Sequence, residues 1–198
     1  LDHKLGIRAS DTAVLSFTDC RVPRDNLLGS EDVKSATEGF SGVMQTFDNT
    51  RPVVAAMGVG IARAALELTR ELLAEEGVHP TYEGGTWTGK SAVEAELLRM
   101  EAELESARLL MLRAAWMADN RKSNPTEASM SKAKAGRVAN DITLRCVELC
   151  GAAAYSERQL LEKWARDSKI LDIFEGTQQI QLLIIARRLL GKRSSELR

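Results

Sequence analysis

Val93-Glu94-Ala95-Glu96-Leu97-Leu98-Arg99-Met100-Glu101-Ala102-Glu103-Leu104, continued through Ala107, Met111, Ala114 and Ala118, carries the strongest helical periodicity in the chain. Its apolar positions alternate spacings of four and three. That is a heptad seam, and it predicts a long helix lying at a shallow angle against neighbours. At about 1.5 Å per residue, residues 89–119 span on the order of 45 Å.

Downstream, Asn124-Pro125 turns the chain, and Ala128 to Leu149 reads as a second helix with Ala135, Val138, Ile142, Cys146 and Leu149 inward. Upstream, a helical pattern begins around Lys34 and runs to about Phe47. Another follows from Asp48, with Pro52 in its first turn and Val53, Met57, Ile61, Ala64, Leu68 and Leu72 on one face. After Gly151–Glu157 come a helical stretch Lys163–Phe174 and a last helix capped by Thr177 and ending near Leu190. Short connections between long amphipathic helices predict an all-α, antiparallel up-and-down four-helix bundle with extra short helices. Residues 1–29 differ. Ala13-Val14-Leu15-Ser16-Phe17-Thr18 is a β-type run, read as a short N-terminal β remnant that cannot form a stable sheet alone. The division is therefore 1–29 as the end of a β unit and 30–198 as the bundle, joined by the polar linker Glu31-Asp32.

Composition narrows the function classes. The 198 residues are 44% hydrophobic, and 27 basic against 28 acidic side chains leave a net charge of −1. This is a globular chain without long-range attraction to nucleic acid, and no run approaches the roughly 18 consecutive apolar residues of a membrane span. Three cysteines suit reduced thiols in a cytoplasmic setting.

Three motifs have a bland reading. Gly84-Gly85-Thr86-Trp87-Thr88-Gly89-Lys90-Ser91 matches a phosphate-binding loop formally, but no buried strand precedes it, so it reads as a helix-start loop. Gly58-Val59-Gly60 lies inside a helical pattern and reads as helix packing. Cys146 and Cys150 are one turn apart with His3 and His79 far off in sequence, so no metal site is expected.

Glu175 differs in kind. It stands in Ile173-Phe174-Glu175-Gly176-Thr177 at a junction of helices, apolar before and flexible after. Desolvation there strengthens a carboxylate as a general base, and Gly176 lets a substrate approach the backbone. On the residues alone it could equally be an exposed end-of-helix carboxylate.

Phe47-Asp48-Asn49-Thr50-Arg51-Pro52-Val53-Val54-Ala55-Ala56, Ala165-Arg166-Asp167-Ser168-Lys169-Ile170 and Ile173-Phe174-Glu175-Gly176-Thr177-Gln178-Gln179-Ile180-Gln181 resemble acyl-CoA dehydrogenases. So do Lys4–Thr12 and Val22–Gly29, which resemble the end of that family's middle β domain. The resemblance implies the C-terminal portion of a longer FAD-dependent enzyme that desaturates an acyl-CoA thioester, as in fatty-acid β-oxidation and lipid metabolism. Glu175 corresponds to the base that takes the pro-R α-proton while the β-hydride passes to flavin N5. The Glu175 N–H and a flavin ribose hydroxyl would hold the thioester carbonyl. Phe47, Asp48, Arg51 and Gly176 correspond to the acyl-CoA site, and Thr177 and Gln179 to contacts on the adenosine side of FAD. A branched-chain subset places its base near the position of Thr50, where threonine cannot serve. Implied partners are an electron-accepting flavoprotein and further dehydrogenase subunits in a homo- or hetero-tetramer.

Two segments depart from the pattern. The family's Arg-x-x-Phe-Gly is not found in Glu76–Ser91, and Gln-x-x-Gly-Gly-x-Gly is replaced by Glu148-Leu149-Cys150-Gly151-Ala152-Ala153-Ala154. Both fall on contacts to a neighbour's cofactor, and Glu148 brings a negative charge toward a diphosphate. The alternative reading is a non-catalytic subunit that keeps the bundle for hetero-oligomer assembly.

Overall fold

A computed structural model describes residues 2–27, 36–81, 86–193 and 196. The expected helix start at Lys34, the Glu31-Asp32 linker, the 29/30 boundary and Gly84-Gly85 lie outside the described residues. Six α-helices follow in order among them: α1 (Ala36–Glu75), α2 (Ala92–Asp119), α3 (Pro125–Cys150), α4 (Ala152–Tyr155), α5 (Leu161–Ser168) and α6 (Gln178–Leu190). A 3-10 turn, Lys169–Asp172, extends α5 toward α6.

The polar contacts give the topology. Arg113 pairs with Glu127, Lys134 with Glu103 and Arg145 with Glu96, so residue numbers rise on α3 as they fall on α2. The two helices are antiparallel. Between α1 and α3 the numbers rise together, from Asn124 at the Asp48 carbonyl to Cys150 at the Thr69 carbonyl. Thr50 of α1 meets Glu175 just before α6, while Asp48, earlier on α1, lies near Arg188 toward the end of α6, so these two helices run in opposite directions. The bundle is up-down-up-down, with α3 in contact with α1, α2, α5 and α6.

The seam of α2 buries Leu97, Met100, Ala107 and Ala114 as its spacing predicts, and Ser91 starts the helix with a capping box shared with Glu94. The formal phosphate-loop serine is thus a helix cap.

In α1 two expectations are corrected. The chain forms one continuous helix rather than two, with Pro52 well inside it. Proline leaves the Asp48 carbonyl without its usual i+4 donor. The buried Asn124 supplies one, its Nδ2 donating to Asp48 O at 3.5 Å and to Ala114 O at 3.0 Å. The inward face agrees in part, since Leu72 is buried and Ile61 and Leu68 pack against the core as expected, but its N-terminal half is displaced. Val53 and Met57 are exposed, while Ala55, Gly58, Ala62, Ala65 and Leu66 are buried. Close approach selects the small side chains, since a Cβ on Gly58 would lie 2.9 Å from the Ala135 carbonyl oxygen of α3. An 18-residue window of α1 reaches a mean hydropathy of 1.4, enough by length and composition to cross a membrane. Much of that apolar surface packs on α2 and α3.

The β-type run is the third correction: no strand forms among the described residues. Residues 13–17 carry no regular structure, with Val14 88% and Phe17 76% exposed. A strand requires a partner ladder, and none is present here. The preceding segment is held instead by α5. Ile7 N–H donates to Asp167 Oδ1 at 2.6 Å, Arg166 Nη1 donates to Leu5 O at 3.1 Å, and Gly6 sits against the Arg166 carbonyl.

Candidate active site

The loop Ile173–Thr177 carries the 3-10 turn into α6, and Thr177 caps that helix by accepting the Ile180 N–H. Two successive residues take left-handed backbone, Glu175 at φ +56° and Gly176 at φ +89°. For Glu175 this conformation is strained, costing on the order of 1–2 kcal/mol. Gly176 is required: a Cβ there would lie 2.5 Å from Gln181 Nε2.

Buried donors hold this backbone from below. Gln181, fully buried on α6, donates through Nε2 to the carbonyls of Glu175 and Gly176, both at 3.1 Å. Lys132, fully buried on α3, donates to the Gly176 carbonyl at 2.7 Å. Burial pushes the Lys132 ammonium below the usual lysine range; Asp172 and Glu175 oppose this and Arg51 adds to it. The Glu175 side chain meets α1, where Thr50 Oγ1 donates to its Oε2 at 2.8 Å.

One turn of α1 supplies the rest. Arg51 is buried, with Nη1 2.5 Å from Asp48 Oδ1 and its guanidinium 5.9 Å from the Phe47 ring centre. Burial raises Asp48 above the ordinary aspartate range, against the opposing charges of Arg51 and Arg188. Asp48, Arg51, Ile180, Leu183, Arg187 and Arg188 line a cavity of about 730 Å³ between α1 and α6. The Nε atoms of Arg51 and Arg187 are buried without a hydrogen-bond partner among the described residues. A second hollow, of about 450 Å³, lies between Leu5–Ile7 and Ile170, Ile173 and Phe174.

The structure therefore brings Glu175 against Thr50, next to the Phe47-Asp48-Arg51 cluster, with Gly176 on the anchored loop. Thr177 serves as a helix cap, and Gln179 is exposed on the first turn of α6. Sequence reasoning missed Lys132 and Gln181. A signal existed for the first: the neighbours of Lys132 one turn away on the helix, Ala128, Ser129, Ala135 and Gly136, are all small and share a buried face. Thr50, set aside as a base, is the donor to Glu175.

The charge assigned to Glu148 is not isolated. Its carboxylate lies 2.5 Å from Arg145 Nη1, and Arg145 also reaches Glu96 at 3.1 Å. Burial pushes the Cys146 thiol up to about 11, as for a packed, unreactive side chain. Among the described residues no group of three or more His, Cys, Asp or Glu is placed to hold a metal.

A sequence model described as the acyl-CoA dehydrogenase C-terminal domain matches residues 37–190. The mitochondrial short-chain specific acyl-CoA dehydrogenase of Mus musculus is 38% identical over 189 residues, 96% of this chain and 44% of its own length. Butyryl-CoA dehydrogenase from Megasphaera elsdenii superposes with a TM-score of 0.81 at 33% identity, over 96% of this chain and 47% of that one. A chain described with the electron transferring flavoprotein of Acidaminococcus fermentans gives 0.83 at 34% identity, covering 96% and 47%. This chain thus spans less than half the length of these relatives. With its helical order, its Glu175 loop and these similarities, the chain belongs to the acyl-CoA dehydrogenase family and corresponds to the C-terminal helical domain.

Proposed function

We propose that the full-length protein is an FAD-dependent enzyme that removes hydrogen across the α,β bond of an acyl-CoA thioester, with Glu175 as the base. The observation that carries this reading is Glu175 itself: a carboxylate on strained, doubly anchored backbone, hydrogen-bonded to α1 beside a cavity rimmed by arginines. Such strain persists where the surroundings over-determine it, as they do at reactive sites.

The polyanionic CoA portion suits the cavity lined by Arg51, Arg187 and Arg188, in which the Nε donors of Arg51 and Arg187 are buried without a hydrogen-bond partner among the described residues. Phe47 and Asp48 fix the Arg51 guanidinium. Glu175 takes the α-proton onto a carboxylate oxygen as the C–H electron pair moves into the thioester carbonyl. The Glu175 N–H holds that oxygen, and the α,β double bond forms as the β-carbon gives up hydride. Thr50 keeps one oxygen of Glu175 hydrogen-bonded, leaving the other for the proton.

The residues present fit a flavin dinucleotide. The apolar hollow beside Phe174 and Ile170 suits a flat ring, Thr177 retains a hydroxyl proton to donate while its oxygen caps α6, and Gln179 presents an exposed amide. When bound, FAD supplies the two-electron acceptor for the β-hydride.

The exposed apolar run Val14, Leu15 and Phe17 supports residues 1–29 as an edge of a β unit. On the outer face of α2, exposed Leu109, Leu112 and Trp116 support assembly into a homo- or hetero-tetramer. An electron-accepting flavoprotein is the partner that would reoxidise the flavin, and free cysteines fit a reducing, cytoplasmic setting.

The test is made on full-length protein. Yellow protein that bleaches with acyl-CoA supports the reading, whereas colourless, inert protein favours the non-catalytic subunit. Flavin per subunit with native mass separates the assemblies: one tight FAD per chain in a homotetramer excludes a hetero-oligomer completed by a second chain.

A further inference from the structure

Resting on the reading of Glu175 as the base, we propose that Lys132 and Gln181 are positioning residues, a buried pair of donors that sets the left-handed Glu175-Gly176 backbone and thereby aims the Glu175 carboxylate at the substrate.

An ammonium inside a protein core is unfavourable unless charge and hydrogen bonds compensate it. Lys132 is completely buried, yet the acceptor 2.7 Å from its Nζ is a neutral carbonyl, that of Gly176. Its negative neighbours are Asp172 and Glu175, and Arg51 of α1 stands nearby with the same sign. Asp172 is itself nearly buried, with Oδ1 lacking a hydrogen-bond partner among the described residues. A methionine or leucine would fill the same space more cheaply for packing alone. What lysine adds is a fixed cation and a donor directed at the residue after the base.

Gln181 converges on the same point from α6, donating to both carbonyls of the strained pair. Two fully buried side chains from different helices thus converge on two consecutive peptide oxygens. With those oxygens held inward, Glu175 has one way to meet α1, the Thr50 hydrogen bond. Relaxation of the pair toward ordinary backbone would break that contact and swing the carboxylate away.

The experiment uses full-length, flavin-loaded enzyme: wild type, Lys132→Met, Gln181→Met and Glu175→Gln, assayed with butyryl-CoA and a panel of other acyl-CoA thioesters. A misplaced base lowers kcat about tenfold to a hundredfold in Lys132→Met and Gln181→Met while KM stays within about threefold. Lys132→Met also removes a cation near Glu175, which favours the protonated, inactive base, so the acid limb of the kcat profile moves to higher pH. In Gln181→Met, which changes no charge, the limb stays in place. A purely structural role would lower the yield of active enzyme without moving that limb. Folded Lys132→Met with kcat within about twofold of wild type overturns the proposal. If Lys132→Met does not fold, Gln181→Met decides, and unchanged kcat there overturns it equally. Flavin-loaded wild type inactive on the whole panel, or Glu175→Gln as active as wild type, instead overturns the reading of Glu175 as base, and this proposal with it.

Discussion

Thr50 Oγ1 lies 2.8 Å from Glu175 Oε2, so residues 125 positions apart are joined across α1 and the loop before α6. The hydroxyl is the donor, the carboxylate the acceptor, and the contact leaves the second carboxylate oxygen for chemistry. Thr50 sits one residue before Arg51, whose side chain lines the basic cavity.

Replacing either partner separates geometry from chemistry. In full-length enzyme, Thr50→Val removes one hydrogen bond to a charged group, worth about 1.5–3 kcal/mol, and lowers kcat by roughly tenfold to a hundredfold with acyl-CoA binding retained. Glu175→Gln removes proton abstraction itself and lowers kcat by at least about a hundredfold, with flavin content unchanged. Steady-state kinetics and the flavin absorbance check both. Residual turnover of Glu175→Gln above that of Thr50→Val would reverse the assignment.

Asp167 makes the N-terminal segment sensitive to acid. Burial works to raise this carboxyl, but Lys163 and the Ile7 N–H outweigh it and hold it below the ordinary aspartate range. A depressed value contributes stability that is present above the unfolded value, near 3.9, and lost as pH falls through the folded one. The protection factor of the Ile7 amide, taken against the intrinsic exchange rate at each pH, is therefore high at neutral pH and falls only below about pH 4. Asp167→Ala exposes that amide at all pH values, and equal protection in both proteins would contradict the anchor.

Two glycines one turn-fraction apart on α1 should respond oppositely. Gly58→Ala pushes a methyl within 2.9 Å of the Ala135 carbonyl oxygen and destabilises the bundle by about 1–3 kcal/mol, outweighing its better helix propensity. Gly60→Ala meets nothing within 4 Å and stabilises by up to about 1 kcal/mol. Urea midpoints measure both, and a loss of stability at Gly60→Ala would show that the α1 face is misassigned.

Asn124 links the proline in α1 to the turn between α2 and α3. Asn124→Leu leaves the Asp48 carbonyl unsatisfied beside a buried arginine and costs about 1–3 kcal/mol by denaturant unfolding. If the variant matches wild type, Pro52 is accommodated by other means.

Periodicity determined what local chemistry controls. The seam of Leu97, Met100, Ala107 and Ala114 was legible because each apolar residue recurs on one face, and Thr177 was legible as a cap because its side chain acts within a turn. The motif around Glu175 was also readable, since its neighbours lie beside it in the chain. Other features depend on residues far apart in sequence. Pro52 forecasts a break, and Asn124, in the turn before α3, lets α1 run on. Val53 and Ala55 are both plausible core residues, and the approach of Ala135 to Gly58 decides which face turns inward. Val14 and Phe17 carry strand propensity but need a partner to become a strand. Lys132 reads as a surface lysine until packing seals it beneath Gly176, because the meaning of a charge is set by the groups that tertiary structure brings to it.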